Sequence, residues 1–233
     1  MLTLGCLPSV VSARASGPPT QYGIYLARMS EFLKANESEA AYFVTLTVVD
    51  WIDVFTRKVY VDIVLHNLEH CRATKGLEIF AYVVMPSHLH LIVRRKEGLL
   101  SDVLRDFKSF TAKRLLEAIR DHPQESRKEW MLAEFGAAAD RSAQNAHLMF
   151  WQKTSHPEEL YSPAYYDQKA EYIRNNPVEA GFVTEPEHYA WSSAHADPIL
   201  KPDAEWNGGG PEALYQPALG KHPSANGGEK FRQ

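Results

Sequence analysis

Cysteine is scarce in this chain of 233 residues, which holds only Cys6 and Cys71. Two are too few for a disulfide framework, and they fit a reducing, cytoplasmic setting. Long apolar runs are missing too: none approaches the roughly 20 residues that cross a bilayer, so a membrane-spanning role is not expected. There is no Gly-x-x-x-x-Gly-Lys loop, so nucleoside triphosphate chemistry has no phosphate cradle. No internal repeat is visible. A strong charge of either sign is absent, since the net charge is −4, which argues against a protein that coats nucleic acid non-specifically. Charge is nevertheless unevenly spread. Arg94 to Lys128 carries ten basic against six acidic residues, and Glu179 to Gln233 four against eight. A phosphate-facing surface is therefore expected in the middle of the chain.

What is present suffices for one domain with extensions. Apolar and aromatic content are those of a globular protein. Residues 1–40 read as an N-terminal extension. Its start lacks a basic segment, and Pro8 interrupts its apolar stretch, so a secretory signal is not expected. Met29-Ser30-Glu31 opens a helix-like run, so Met29 is an alternative start, with Met1 to Arg28 a translated leader. From His195 onward Pro, Gly, Asp and Asn dominate, and residues 196–233 read as a flexible acidic tail.

Between these lies alternating structure. Ala41 to Val49 is rich in β-branched and aromatic residues and reads as a strand. Val61, Val64, Leu65, Leu68 and Cys71 follow helical spacing from about Lys58 to Ala73, with Gly76 as the C-cap. Leu77 to Val84 and His88 to Arg94 read as strands. A long helix over about Leu100 to Arg120 turns Val103, Leu104, Phe107, Phe110, Leu115, Leu116 and Ile119 inward, and Arg105, Lys108, Lys113 and Arg114 outward. Arg127 to Asn145 is Ala-rich, either a helix or an insertion. Met149 to Lys153 is the candidate fourth strand. Ser162-Pro163 starts a helix, with serine as N-cap and proline in the first turn, and Asn176-Pro177 is expected to end it. The order predicts an α+β fold: a ferredoxin-like (RRM-like) sandwich, its antiparallel sheet carrying helices mainly on one face.

The chemistry is carried by His88-Leu89-His90. Residues i and i+2 of a strand leave the same face, so the two imidazoles can chelate one divalent cation. Such pairs are common, so this one needs a partner group. On the helix after Pro163, Tyr172 and Asn176 stand one turn apart on the stripe opposite Tyr166, Ala170 and Ile173. A phenolate attacks phosphorus, and an amide oxygen ligates hard cations such as Mg²⁺ or Mn²⁺. Equally, Tyr172 can be an amphipathic surface residue and Asn176 a helix end. Tyr166-Asp167-Gln168-Lys169 is a competing Tyr-x-x-Lys pattern, like that of rolling-circle replication initiators, but Tyr166 falls on the core side. A metallo-β-lactamase-like hydrolase would need further Asp and His just downstream, where Leu91 to Arg94 supplies none.

Three segments then carry a family resemblance. Val84-Met85-Pro86-Ser87-His88-Leu89-His90-Leu91, Tyr172 to Val183 and Tyr189-Ala190-Trp191-Ser192-Ser193 resemble the single-tyrosine HUH transposases, within them the REP-associated tyrosine transposases. The name means histidine, hydrophobic, histidine. The resemblance runs from about Tyr42 to Ser193, so that residues 41–195 form the transposase-like domain. It implies His88, His90 and Asn176 as ligands of Mg²⁺ or Mn²⁺ and Tyr172 as nucleophile. It implies cleavage and transfer of single-stranded hairpin DNA through a 5′-phosphotyrosine link, by a monomer or homodimer. The alternative is a hairpin-binding protein of this fold without chemistry. Ser87 stands where such proteins often have Asn. Arg94, Arg95, Lys96, Arg105, Lys108, Lys113 and Arg114 are candidate backbone contacts. Trp151 and Tyr189 are candidates either for base stacking or for the core.

Overall fold

Among the described residues, four strands and four α-helices are built from segments in which the spacing of apolar residues switches between periods of two and 3.6. The computed structural model describes residues 40–142 and 147–204. The expectations for the N-terminal extension, its alternative start and the end of the tail lie outside them. In chain order the elements are β1 (Tyr42–Thr47), α1 (Lys58–Lys75), β2 (Leu77–Val84), β3 (His88–Arg95), α2 (Leu100–Asp121), α3 (Lys128–Arg141), β4 (Glu158–Glu159) and α4 (Pro163–Glu179). The strands form one sheet in the order β2-β3-β1-β4, every pair antiparallel. That is the ferredoxin-like arrangement expected from the sequence. No helix among the described residues is long and apolar enough to cross a membrane.

Alternation divides the sheet into two faces. Tyr42, Val44, Leu46, Leu89 and Leu91 face one way, into a core shared with α1, α2 and α3. Phe43, Val83 and Ile92 face the other way, where Ile173 of α4 closes a smaller apolar layer. A β-bulge between Ile79 and Ala81 lets Phe80 and Ala81 both join that second layer. Three helices thus cover one face and a single helix the other. The Ala-rich segment is a helix, and α3 packs against α2 and the turn at Val49–Trp51.

Four details correct the sequence reading. First, Trp151 makes only an isolated bridge to Val48, while the ladder partner of β1 is Glu158–Glu159. Five steps along β1, from Phe43 to Val48, face seven along the outer segment, from Trp151 to Glu158. His156 takes φ 39° there, and Pro157 brings no N–H to a ladder. Second, α4 runs past Asn176 with Pro177 inside it. Pro177 sits in the last turn and costs one backbone hydrogen bond there, and the helix end is closed separately by a Schellman motif at Gly181 (φ 76°), in which Phe182 N donates to Pro177 O at 2.9 Å and Gly181 N to Val178 O at 2.9 Å. Third, Phe110 is 55% exposed, outside the core.

Fourth, the chain after His195 is folded back along β2 as far as it is described. Val84 N donates to Trp191 O, Ser193 N to Tyr82 O and Asp203 N to Ile79 O, and the Asp203 carboxylate accepts from Ile79 N at 2.7 Å. Leu200 is buried in the main core, and its N–H donates to the Tyr82 hydroxyl at 3.1 Å. The composition of this stretch is loop-like, but one apolar side chain and one carboxylate suffice to dock it. We expect Leu200→Ala to lower unfolding free energy by about 2 kcal/mol, measured by urea titration. A loose tail would give no change.

One buried carboxylate ties the loops behind α1 and α2 together. Glu125, whose side chain is 0% exposed, accepts from Arg57 Nε at 2.8 Å, Arg127 Nε at 3.1 Å and the Tyr60 hydroxyl at 3.2 Å. Arg127 also donates to Asp53 O at 2.8 Å.

Candidate active site

The second face of the sheet carries the histidines because β3 enters its pairing with β1 in one particular register. Thr45 lies directly opposite His90, and Thr47 opposite His88. Cross-strand partners on one face are close enough to touch. Thr45 Oγ1 accordingly sits 2.9 Å from His90 Nδ1, and Ser87 Oγ sits 3.2 Å from His88 Nδ1. A hydroxyl at Nδ1 fixes the ring and leaves Nε2 for other work, the arrangement usual around histidines that ligate metals. The two ring centroids are 4.8 Å apart.

Helix α4 brings the phenol. Its N-terminus is set by Ser162, whose Oγ accepts from Tyr165 N at 3.3 Å, with Pro163 in the first turn. Ile173 and Pro177 are buried beneath it. Tyr166 turns to Phe80, at 6.5 Å between centroids, while Tyr172 turns the other way. Tyr172 Oη reaches to 3.4 Å from His90 Nε2, across 82 residues of sequence. Its ring meets His90 at 5.1 Å and Phe43 at 5.9 Å, edge to face in both cases. Tyr172 is 40% exposed whereas His90 is buried, so the phenol stands between solvent and the imidazoles. Asn176 is half-buried one turn further along the same helix.

Both imidazoles are poor bases here. Burial, with the neighbouring His88 and then Lys169 adding to it, pulls His90 down to about 3. Burial lowers His88 as well, with Asp53 opposing. At neutral pH both are uncharged, the form that binds cations. Among the described residues no group of three or more His, Cys, Asp and Glu is placed to hold a metal ion. A cation at this pair would therefore need an amide, phosphate or water oxygen as well.

Three further residues of the site were not singled out from sequence. Thr45 depends on strand register. Phe43 stacks on His90 at 5.3 Å between centroids. Lys169 places its ammonium 4.4 Å over the Phe43 ring and 2.7 Å from Glu158. In sequence Lys169 was visible only as part of the Tyr166 pattern.

The basic residues are placed unevenly. Arg94 shares the face of His90 but is paired with Glu78 at 2.6 Å, and Lys96 reaches the same carboxylate at 3.4 Å. Arg95 donates to Leu99 O at 2.7 Å. Arg105 pairs with Asp102 at 2.7 Å and Arg114 lies 3.8 Å from Glu117. These α2 residues belong to the helical layer on the other side of the sheet from Tyr172. Lys108 does not face outward as the helical wheel suggested. Its ammonium donates to Gln152 O at 2.6 Å and Lys153 O at 2.9 Å, and burial pulls it down to about 8. Lys113 lines a groove of about 910 Å³ between α1 and α2, well apart from the histidines. Trp151 and Tyr189 are core residues: the indole donates to Thr111 Oγ1 at 3.0 Å and the phenol to Val84 O at 2.9 Å.

No protein-family model matches the chain, and no curated protein matches it. Among solved structures it is similar to a REP-associated tyrosine transposase bound to a REP hairpin. The identity is 17% and the TM-score 0.48, over 68% of this chain and 78% of that one.

Proposed function

We propose that the chain is a metal-dependent enzyme that nicks single-stranded DNA beside hairpins and rejoins it, with Tyr172 as nucleophile. The observation that carries this reading is the approach of Tyr172 Oη to 3.4 Å from His90 Nε2. A tyrosine beside two neutral imidazoles, open to solvent, is an arrangement suited to attack on a phosphodiester.

Tyr172 attacks phosphorus through its phenol oxygen, and the bond from phosphorus to the 3′ oxygen breaks. The phenol loses a proton and the departing 3′ oxygen gains one, so protons balance. The products are a 5′-phosphotyrosine and a free 3′ hydroxyl, and one phosphodiester is exchanged for another. The step is therefore reversible without ATP, and an incoming 3′ hydroxyl rejoins the strand. His88, His90 and Asn176 are the residues that would hold Mg²⁺ or Mn²⁺, which when bound polarises a non-bridging phosphate oxygen. The donor chemistry fits such an ion: two neutral imidazoles with Nδ1 already engaged, and an amide oxygen on the helix of the nucleophile. Thr45 and Ser87 orient the rings, and Phe43 backs His90. Hairpin DNA as substrate rests on the family resemblance. Of the basic candidates on β3, Arg94 shares the face of His90, where it is paired with Glu78.

The test is incubation with Mn²⁺ and single-stranded oligonucleotides spanning hairpins that flank the gene. The expected result is a protein–DNA adduct that survives denaturing electrophoresis and disappears with EDTA. Hairpin binding with no adduct would favour a non-catalytic binding protein of the same fold.

A further inference from the structure

Trp51 is held out of the core beside the histidines by an unusual backbone. It ends the turn Val49–Trp51. Val49 and Ile52 on either side are each 4% exposed, while Trp51 is 58% exposed. Asp50 and Trp51 both adopt left-handed conformations, with φ of 51° and 57°. Consecutive non-glycine residues rarely do so, because Cβ crowds the carbonyl, and such conformations persist only where neighbours impose them. The neighbours here are identifiable. Trp51 N donates to Val48 O at 3.2 Å, Val49 N to Phe150 O at 2.9 Å, and Asp50 is paired with Arg141 of α3. Relaxing the turn would let the indole leave this position. The fold instead spends strain to keep a large aromatic face in water.

The position has a consequence for the proposed reaction. The Trp51 ring lies 5.3 Å from His88 between centroids, edge to face. His88 lies 4.8 Å from His90, and His90 lies 5.1 Å from Tyr172. Trp51 and Tyr172 therefore bracket the imidazole pair, one at each end. In-line displacement puts the leaving oxygen opposite the nucleophile. With the scissile phosphate at the imidazoles, the nucleotide bearing the 3′ oxygen extends away from Tyr172, toward Trp51.

We propose that Trp51 is a positioning residue that stacks on the base immediately 5′ of the scissile phosphate in single-stranded DNA. The inference rests on the nuclease reading above. Stacking of this kind tolerates any base, because every base has a π face. After cleavage the same contact holds the released 3′ end near the phosphotyrosine, where rejoining needs it.

The experiment first maps the cut from the wild-type adduct. Affinity is then measured in a Tyr172→Phe background for the intact oligonucleotide and for one abasic just 5′ of the cut. Trp51→Ala is expected to weaken binding of the intact strand by about 10-fold to 100-fold, with Trp51→Phe recovering most of it. The abasic strand should bind both proteins equally, since base and indole act as one pair. A purely structural role for Trp51 would instead weaken intact and abasic strands alike, and that result overturns the inference. So does unchanged affinity of Trp51→Ala for the intact strand. If wild-type protein forms no adduct, the nuclease reading itself fails. An adduct with no Trp51 effect leaves that reading intact and removes only this one.

Discussion

Replacing Tyr172 by phenylalanine is expected to abolish the covalent DNA adduct, by on the order of 10³-fold or more, while leaving the fold intact. The ring of Tyr172 is held by contact with His90 and Phe43, and phenylalanine keeps both. Only the hydroxyl is lost, from a residue 40% exposed. Substitutions of that kind change stability by about 0.5 kcal/mol or less. Hairpin affinity should also persist, because cleavage and binding draw on different groups. Tyr166→Phe is the control. It lies on the same helix but turns to Phe80, and it should leave adduct formation at the wild-type level. Denaturing electrophoresis of labelled oligonucleotide, beside a thermal melt of each variant, reads both quantities. An adduct of normal yield in Tyr172→Phe would remove Tyr172 from the mechanism.

The largest effect on stability is expected at Glu125. Its carboxylate joins Arg57 and Tyr60, at the start of α1, to Arg127 in the connection before α3. Glu125→Ala leaves two guanidinium groups without their buried counter-charge. Both guanidiniums keep about a third of their side chains in water, so the loss is that of hydrogen bonds to a charged group, about 2–3 kcal/mol, or several degrees of melting temperature in a domain of this size. The dependence on pH separates charge from packing. Burial alone would raise this carboxyl, but the hydrogen bonds from Arg127 and Arg57 outweigh it and hold Glu125 at about 2, against an ordinary 4.5. A depressed carboxyl stabilises the fold fully above the ordinary value. That contribution fades as pH falls toward 2. The gap in unfolding free energy between wild type and Glu125→Gln should therefore narrow by about 3 kcal/mol from pH 5 to pH 2. Urea titrations across that range measure it. A gap independent of pH would mean that the carboxylate contributes shape and not charge.

The parts of the fold legible in sequence were those whose signal is local and repeated. The first three strands alternate or run apolar over six or more residues, and α1 and α2 carry their apolar stripes through several turns. The fourth strand was misplaced because its two ladder residues are glutamates, while Phe150 and Trp151 are apolar for the sake of the helix-side core. The end of α4 lies past Asn176 because the bias against helix before a proline is only a preference, and burial of Ile173 and Pro177 overrides it. Docking of Leu200 and Asp203 depends on a distant edge that local composition does not encode. At the site, spacing put the histidines on one strand face and Tyr172 on the outer stripe of α4, and only the family resemblance joined them into one site. Thr45 was not legible, since its partnership with His90 exists only once β1 and β3 adopt their register. Lys108 shows the converse. A helical wheel assigns it to solvent, but the segment after Trp151 lies across it.

The strip of chain at Trp191–Ser193 and Asp203, laid along β2, bears on how the protein meets other molecules. It occupies hydrogen-bonding groups that an exposed edge strand offers to any extended peptide. At the opposite border the ladder shrinks to Glu158–Glu159, where charge discourages a further strand. Growth of the sheet by another copy, as in cross-β aggregates, is thereby discouraged at both borders. The surfaces left to other molecules are the helical layers and the rim of α4, where Tyr172 is 40% exposed.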